Sequence, residues 1–344
     1  MKINLSKNEI DKLFDIDESN RVYSEFILDY LKYAKVIAKE YKKDLLDTTI
    51  KFFEINPETL NYFKPFNMKE NFNKLDINEF INNPYNKNIK LDNITDGDYK
   101  FELLSYDPYE GFLYKDISNL SNHIEQTSIG YFDEEYKYIA LSSNDDIWML
   151  ITPHEINTMK DAVNKAYGNV ITFGLGLGYF AYMCSIKDNV KSVTIIEKDK
   201  NIIELFNKHI LPQFKCKDKI TIIESDAIEY LKRKSFDYDY AFVDLWRDID
   251  DGLPLYVLTN KLALRHPKTT FDYWIEDSMI AVLKRCLINI IYNNIYNEEI
   301  FDDNYYYYLL SKFNDALKDY KIDTVSDINK LLSKEFIKNL ICQK

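Results

Sequence analysis

The chain has 344 residues, with 56 acidic and 44 basic side chains and a formal net charge of −12. Binding along the phosphate backbone of DNA or RNA requires clustered Lys and Arg, so this balance disfavours a nucleic-acid partner and favours a small molecule or a protein. Hydrophobic residues make up 46% of the chain with only 8 Gly and 8 Pro, which indicates an ordered globular protein of two or three structural units.

The cysteines indicate a reducing environment. Cys184, Cys216, Cys286 and Cys342 form no Cys-x-x-Cys pair, so reduced thiols are the simplest interpretation and no metal site is predicted. The N-terminus lacks the apolar segment of a signal peptide, and no run is long and apolar enough to span a bilayer. We therefore expect a cytoplasmic protein with no membrane partner. The sequence leaves assembly into a homo-oligomer open.

Residues 1–98 are predicted to form a helical region. Ser6 and Glu9 have the spacing of a capping box, and the segment 22–42 carries an apolar stripe at helical spacing. The stripe consists of Phe26, Ile27, Tyr30, Leu31, Ala34, Ile37 and Ala38. The stretch 71–93 is polar and rich in asparagine, and it is predicted as a loop-rich connection.

Residues 99–152 have the pattern of an antiparallel β region. Short β-favouring runs at 99–104, 111–114, 128–132, 136–141 and 147–152 are separated by polar turn clusters. Three aromatic or imidazole side chains in this region, His123, Tyr131 and Trp148, have two open interpretations. They form part of a lid over a ligand, or they pack within the sheet.

A helix is predicted to begin at Pro153. Thr152 suits the N-cap, proline the first helical position, and Glu155 the third. This helix leads into the next strand, so His154 and Glu155 are candidate site residues. Capping alone also explains Glu155.

The segment 169–180 predicts a strand, a glycine turn and a helix. The apolar run 170–173 is followed by Gly174, Gly176 and Gly178, and then by apolar residues at helical spacing. Glycines of this kind let the backbone approach a ligand closely. A second predicted strand, 192–196, ends in Glu197, and a carboxylate there is placed to accept hydrogen bonds from ribose hydroxyls. The pattern predicts nucleoside binding.

The nucleoside need not belong to a dinucleotide. The dinucleotide fingerprint requires a small residue three places after its second glycine, and this chain has Tyr179 there, which would crowd a pyrophosphate. The pattern Gly-x-Gly-x-Gly instead resembles the class I S-adenosylmethionine-dependent methyltransferases.

Three more strands complete a predicted α/β core at 153–277. They lie at 219–223, 238–243 and 271–275, and they are followed by Asp226, Asp244 and Glu276. Five strands alternating with helices predict a Rossmann-like, doubly wound parallel sheet, with its ligand at the carboxyl ends of the strands. Asp226 is a candidate for the adenine amino group, although it could equally cap the helix that follows.

The last region, 278–344, is predicted as a helical extension, with helices at 279–292, 305–317 and 328–341. The tyrosine run 305–308 is predicted to be a packed helix face rather than a stacking platform. The β-hairpin that commonly completes a methyltransferase sheet is not identifiable.

The resemblance covers residues 165–256. Within it, the sequence of residues 171–178 is most similar to the spermidine synthase branch of the superfamily. It implies that the three glycines line the methionine and ribose and that Glu197 holds the ribose hydroxyls. It further implies that Asp226 and Ala227 hold the adenine, and that Asp244 faces the amino group or the acceptor. The implied cofactor is S-adenosylmethionine.

Two departures count against aminopropyl transfer. Spermidine synthases usually have an aspartate within the glycine loop and a second one three residues after the fourth-strand aspartate, whereas this chain has Leu177 and Arg247. Acidic neighbours of Arg247, at 248, 250 and 251, could substitute.

We therefore expect methyl transfer to a small-molecule or protein acceptor, with Asp244 orienting the acceptor or acting as base and His154 as a second candidate. The alternatives are aminopropyl transfer from decarboxylated S-adenosylmethionine and a non-catalytic nucleoside-binding scaffold. The β segment 128–152 is predicted to cover the cofactor, and with Trp246 and Arg247 to form the acceptor site. Alternatively, Trp246 packs under the next helix and Arg247 pairs with a nearby aspartate.

Overall fold

The computed structural model describes residues 1–41, 43–119, 122–144, 146–297 and 305–343. A short strand β1 (Lys2–Ile3) precedes a 33-residue helix α1 (Lys7–Lys39). The capping box is confirmed, because the Ser6 hydroxyl accepts from the Glu9 N–H while the Glu9 carboxylate accepts from the Ser6 N–H. The predicted stripe is buried, apart from Leu31, which is partly buried.

The next segment contains α2 (Leu45–Phe52), α3 (Pro57–Tyr62), α4 (Met68–Asn71), β2 (Phe72–Lys74), α5 (Ile77–Ile81) and α6 (Pro84–Asn88). The prediction of a loop-rich connection at 71–93 is therefore wrong. The side chains of Asp76 and Asn83 accept backbone N–H groups at the starts of α5 and α6, and Pro84 occupies the first turn of α6. Asparagine and proline here start short helices, which gives the same composition as a loop.

The predicted antiparallel β region is confirmed, and its main sheet begins slightly before residue 99. Its strands are β3 (Ile94–Asp96), β4 (Tyr99–Tyr106), β5 (Phe112–Leu113), β6 (Ser118–Asn119), β7 (Glu125–Gln126), β8 (Ile129–Tyr131), β9 (Tyr136–Ser143) and β10 (Asp146–Leu150). The main sheet has the antiparallel order β10-β9-β4-β3. A smaller sheet, β2-β8-β5, joins the helical segment to the β region through a parallel β2–β8 pair.

The central sheet is parallel throughout, as predicted. The strands of this sheet and the helices around it are α7 (Pro153–Lys165), β11 (Gly168–Phe173), α8 (Tyr179–Ser185), β12 (Val190–Glu197), α9 (Lys200–Leu205), β13 (Ile220–Glu224), α10 (Ala227–Leu231), β14 (Tyr240–Val243), α11 (Ile249–Ala263) and β15 (Thr270–Tyr273). The order β13-β12-β11-β14-β15 is consistent with a Rossmann-like fold. All four residues of β14 are buried, as expected for a strand covered on both faces. The strand order reverses between β11 and β14.

The chain after β15 continues into α12 (Glu276–Tyr296), α13 (Tyr305–Ala316), β16 (Lys321–Ile322), α14 (Val325–Leu331) and α15 (Lys334–Ile341). The single helix predicted at 328–341 is wrong, because Ser333 caps a new helix there. Strand β16 pairs in parallel with β1. Among the described residues, none of the helices is both long enough and apolar enough to pass through a bilayer.

Glu276 forms ion pairs that bind the C-terminal helix α15 to the end of the central sheet, and it does not line the cavity at the carboxyl edge of that sheet. Its carboxylate lies 2.6 Å from the Lys338 ammonium and 2.8 Å from that of Lys334, and it accepts a 2.9 Å hydrogen bond from the Tyr256 hydroxyl. Burial raises the pKa of Glu276, but the two ammonium groups outweigh this effect and hold the pKa below its ordinary value. The ionised form therefore stabilises the fold.

We expect Glu276→Gln to lower the free energy of unfolding by about 1–2 kcal/mol at pH 7, because Lys338 loses its anionic partner and Lys334 keeps only Asp277 among the described residues. A carboxylate with a lowered folded-state pKa stabilises the fold above its unfolded pKa, and that stabilisation is lost as the pH falls through the folded pKa. The difference from the wild type should thus shrink below about pH 4. Urea unfolding across a pH series measures it.

The matched control is Glu335→Gln, the same chemical change at an exposed position on α15. This control should have a smaller effect, because an exposed carboxylate in the first turn of α15 acts only on the helix dipole. Equal losses of stability for the two variants at pH 7 would contradict the role of Glu276.

Candidate functional site

A cavity of about 380 Å³ opens at the carboxyl edge of the central sheet, where the strand order reverses. This is the usual ligand position on such sheets, and the volume lies within the range of small-molecule sites. Ten of the candidate residues that the sequence singled out line it: Trp148, Glu155, Gly174, Gly176, Glu197, Asp226, Ala227, Asp244, Trp246 and Arg247. Gly178 and His154 are not in the lining.

The end of β11 passes unusually close to the end of β14. Gly174 has φ +99°, and a Cβ there would lie 1.9 Å from the carbonyl oxygen of Asp244. In turn, the Asp244 N–H donates to the Phe173 carbonyl over 2.9 Å. Only glycine fits at 174, and the close contact fixes the backbone position of Asp244 just after β14.

The other two glycines have different roles. Gly176 has φ +51°, and a Cβ there would meet no atom within 4 Å, so its backbone borders open space in the cavity wall. Gly178 has φ +75°, and its Cβ would lie 2.4 Å from the ring of Phe206. Gly178 therefore allows the turn to pack against the segment after α9, whereas Gly176 leaves room for a ligand.

Residues from the N-terminal region hold the glycine turn in place. The hydroxyl of Tyr85, which is fully buried, donates to the Leu177 carbonyl over 2.5 Å. Asn83 donates to the Tyr179 hydroxyl over 3.0 Å, and the Tyr179 ring lines the cavity. Sequence reasoning missed this support because the segment reads as a loop. The Pro84 helix start was the available signal.

Glu197 ends β12 and is oriented by backbone donors. Its Oε1 accepts from the N–H groups of Lys198 and Asp199 at 2.7 and 2.9 Å, and its Oε2 accepts from the Leu175 N–H at 3.2 Å. A carboxylate offers about four acceptor positions, so Oε2 retains one for a ligand. The fixed orientation suits hydrogen bonding to a hydroxyl.

Asp226 both lines the cavity and caps a helix. Its Oδ1 accepts from the Glu229 N–H over 2.9 Å at the start of α10, and Ala227 follows in the cavity wall. The capping alternative is therefore confirmed, and the contact with adenine stays a prediction that the place in the cavity wall allows. Its other carboxylate oxygen is not used by the cap.

Asp244 and Glu155 both line the cavity near enough to interact electrostatically, and no hydrogen bond reaches the Asp244 carboxylate from the described part of the chain. Burial raises the pKa of Asp244 well above its ordinary value, and the negative charge of Glu155 raises it further. Asp244 therefore resists ionisation when no cation lies beside it. A cationic ligand group placed between the two carboxylates would relieve their repulsion.

His154 does not line the cavity, but it contacts two residues that do. Its Nδ1 lies 3.9 Å from Glu155 Oε1, and its ring packs edge-on against Trp274 with 6.2 Å between centroids. Glu155 and Trp274 both line the cavity. The helix start thus directs Glu155, rather than His154, into the cavity, and Glu155 also occupies the predicted capping position.

The turn after β14 splits into a buried and an exposed part. Trp246 is buried against Tyr256 and the α11 backbone at Gly252, and its Nε1 has no hydrogen-bond partner among the described residues. Arg247 has 73% of its side chain exposed and lies 3.4 Å from Asp251. Trp246 therefore packs under the helix while also forming cavity wall, and Arg247 pairs with an aspartate at the cavity mouth.

Strand β10 and the residue after it also line the cavity. The lining includes Trp148 and the three residues after it, and the Trp148 ring stacks on Tyr99 with 6.0 Å between centroids. His123 and Tyr131 lie outside the lining. His123 is hydrogen-bonded to Asn329, and Tyr131 packs beside Tyr109.

The lining is acidic. It contains four carboxylates and two cations, and the cations are Lys198 and the exposed Arg247. Within the described ranges, no group of three or more His, Cys, Asp or Glu side chains is arranged to hold a metal ion. The cavity therefore favours an organic cation over an anion.

No protein-family model matches the sequence, and no curated protein is significantly similar to it. Among solved structures, the chain is similar to spermidine synthase from Thermotoga maritima, with 13% identity over 44% of this chain and a TM-score of 0.31. It is also similar to a conserved hypothetical protein from Streptococcus pyogenes, with 14% identity over 31% of this chain and a TM-score of 0.25. The chain spans 59% and 65% of these two proteins. Likenesses of this size carry no argument about function.

We expect Gly174→Ala to prevent stable folding, because the new methyl group would overlap the Asp244 carbonyl in a left-handed backbone. Gly176→Ala is the matched control at a neighbouring left-handed glycine with open space. It should fold, with a cost of about 1 kcal/mol for the backbone alone. Thermal unfolding followed by circular dichroism measures both, and equal stability of the two variants would contradict the close approach of β11 and β14.

Proposed function

We propose that the chain binds S-adenosylmethionine in this cavity and transfers its methyl group to a small-molecule or protein acceptor. The observation that carries the proposal is the place of Glu197. Its carboxylate is held by backbone N–H groups at the end of β12, in the wall of a cavity where the strand order reverses. A carboxylate at that place suits a ribose.

The residues present fit the parts of this cofactor. Glu197 would accept a ribose hydroxyl, and Asp226 would accept the adenine amino group on the oxygen that the helix cap leaves unused. Asp244 and Glu155 would face the sulfonium and ammonium charges. Gly176 would let the ligand lie against the backbone.

A dinucleotide fits less well. Its pyrophosphate is an anion, whereas the lining carries four carboxylates. Tyr179 also occupies the place where a dinucleotide site requires a small residue, and its buried ring is fixed by Asn83. Charge and shape therefore both favour a cationic nucleoside.

When bound, S-adenosylmethionine supplies a methyl group that its sulfonium already activates. The protein then has to position the acceptor in line and exclude water. The buried rings of Trp246 and Tyr179 and the partly buried ring of Trp148 form apolar walls for this purpose. Asp244, in its ionised form, would accept a proton from an acceptor that must lose one, and would otherwise orient the acceptor.

A second candidate is aminopropyl transfer from decarboxylated S-adenosylmethionine to an amine, which the Glu155–Asp244 pair favours because amines are cationic. Leu177 counts against it, since this buried lining residue offers no carboxylate for the cofactor's amine. Asp248 and Asp251 cap α11, and Asp251 also pairs with Arg247. Decarboxylated cofactor binding at least tenfold more tightly, about 1.4 kcal/mol, would reverse the order of the two candidates.

We expect isothermal titration calorimetry to detect S-adenosylmethionine binding, and Glu197→Ala to weaken it at least tenfold by removing the ribose acceptor. The matched control is Glu224→Ala. Glu224 is the register partner of Glu197 on β13 but lies outside the lining. No binding to the wild type at millimolar ligand, or equal loss in both variants, would overturn the proposal.

We also expect binding to release a proton. A cation beside Asp244 lowers its raised pKa, so a protonated Asp244 ionises as the ligand binds. At pH values above the ordinary aspartate pKa and below the raised one, the measured enthalpy should then differ between two buffers of different ionisation enthalpy, and Asp244→Asn should remove the difference. Asp226→Asn, at the other end of the cavity, should retain it. A buffer-independent enthalpy for the wild type would contradict the role of Asp244.

Turnover separates an enzyme from a scaffold. Release of S-adenosylhomocysteine on incubation with cell metabolites supports methyl transfer. Cofactor binding without any such release would favour the non-catalytic interpretation.

A further inference from the structure

A second cavity, also of about 380 Å³, lies between α11, α13 and α15. Its interior is apolar, and the buried part of its lining includes Val257, Leu309, Phe313, Leu340 and Ile341. At its mouth, Leu258 and Tyr308 have 39% and 51% of their surface exposed. An apolar cavity of this size, open at one mouth, suits an apolar ligand.

The only charged side chains in the described lining are two lysines. Lys261 on α11 and Lys312 on α13 are both exposed at this cavity, and no carboxylate lines it within the described ranges 1–41, 43–119, 122–144, 146–297 and 305–343. Neither lysine forms an ion pair with any described residue, and the Lys312 ammonium lies 5.2 Å from the centre of the Tyr308 ring. In a chain of net charge −12, this is a local excess of positive charge.

The two cavities lie on different sides of α11. Leu255 lines the acidic cavity at the central sheet, whereas Pro254 and Leu258 line the apolar one. The tyrosine run predicted as a packed helix face contributes Tyr305 and Tyr308 to the second cavity. The second cavity thus has its own walls, and its charge is opposite to that of the first.

We propose that this second cavity binds an amphipathic anion, an aliphatic chain that ends in a carboxylate. The chain enters between the three helices, and the carboxylate lies at the mouth between Lys261 and Lys312. Apolar burial supplies the attraction for the chain, and two cations that no carboxylate of the described residues pairs with select the sign of the head group. This site is independent of the cofactor proposal, since the two cavities share no lining residue.

The test uses dodecanoate below its critical micelle concentration with the full chain. We expect saturable binding by calorimetry and a raised melting temperature, because a ligand that binds the folded state stabilises it. Dodecanol, with the same chain and no charge, should bind at least tenfold more weakly. The double variant Lys261→Gln, Lys312→Gln should reduce dodecanoate binding at least tenfold and leave dodecanol binding unchanged.

The matched control replaces two exposed lysines outside the cavity, Lys268→Gln and Lys318→Gln, and should bind dodecanoate like the wild type. Filling the cavity with Ala316→Trp should abolish binding of both ligands. The proposal is overturned if dodecanoate does not bind or lowers the melting temperature. It is also overturned if dodecyltrimethylammonium binds as tightly, or if the protein binds phosphatidylglycerol vesicles and dodecanoate does not compete.

Discussion

The close passage of β11 and β14 is the constraint on which the site depends. A glycine with positive φ at 174 lets the two strand ends approach until a Cβ would overlap the Asp244 carbonyl. Because the sheet order reverses between these strands, helices leave in opposite directions and the cavity opens there. The same contact places Asp244 in that cavity. The cavity and the buried carboxylate in its wall therefore both depend on the contact between Gly174 and Asp244.

The regions outside the α/β core support this arrangement from both ends of the chain. Tyr85 fixes the glycine turn through the Leu177 carbonyl, and β10 lines the cavity. On the far side, Glu276 binds two lysines of α15, while Asp116 accepts the N–H groups of Asp277 and Ser278 at the start of α12. The N-terminal, β and C-terminal regions therefore hold the α/β core and its glycine turn in place.

Features with a local signal were predictable from the sequence, and features made by distant partners were not. The Ser6 capping box, the helix start at Pro153 and the five parallel strands follow from short patterns, and the structure confirms them. Short capped helices at 77–88 share their composition with loops, so they were missed. The sequence places Glu276 with the ligand-side carboxylates, because nothing near it in sequence reveals the lysines of α15. Glu155 was identified, but its electrostatic interaction with Asp244 depends on how α7 packs across the sheet edge.

The central claim is that one acidic cavity holds the cofactor, with its nucleoside toward Glu197 and its charge toward Asp244. A crystal structure of the protein soaked with S-adenosylmethionine tests it most directly. The account predicts the ribose on Glu197 and the sulfonium within about 6 Å of the Asp244 or Glu155 carboxylate, close enough for charge to act. It also predicts Trp148 against the ligand. A ligand bound elsewhere, or one whose sulfonium lies more than about 15 Å from both carboxylates and from β10, would contradict it.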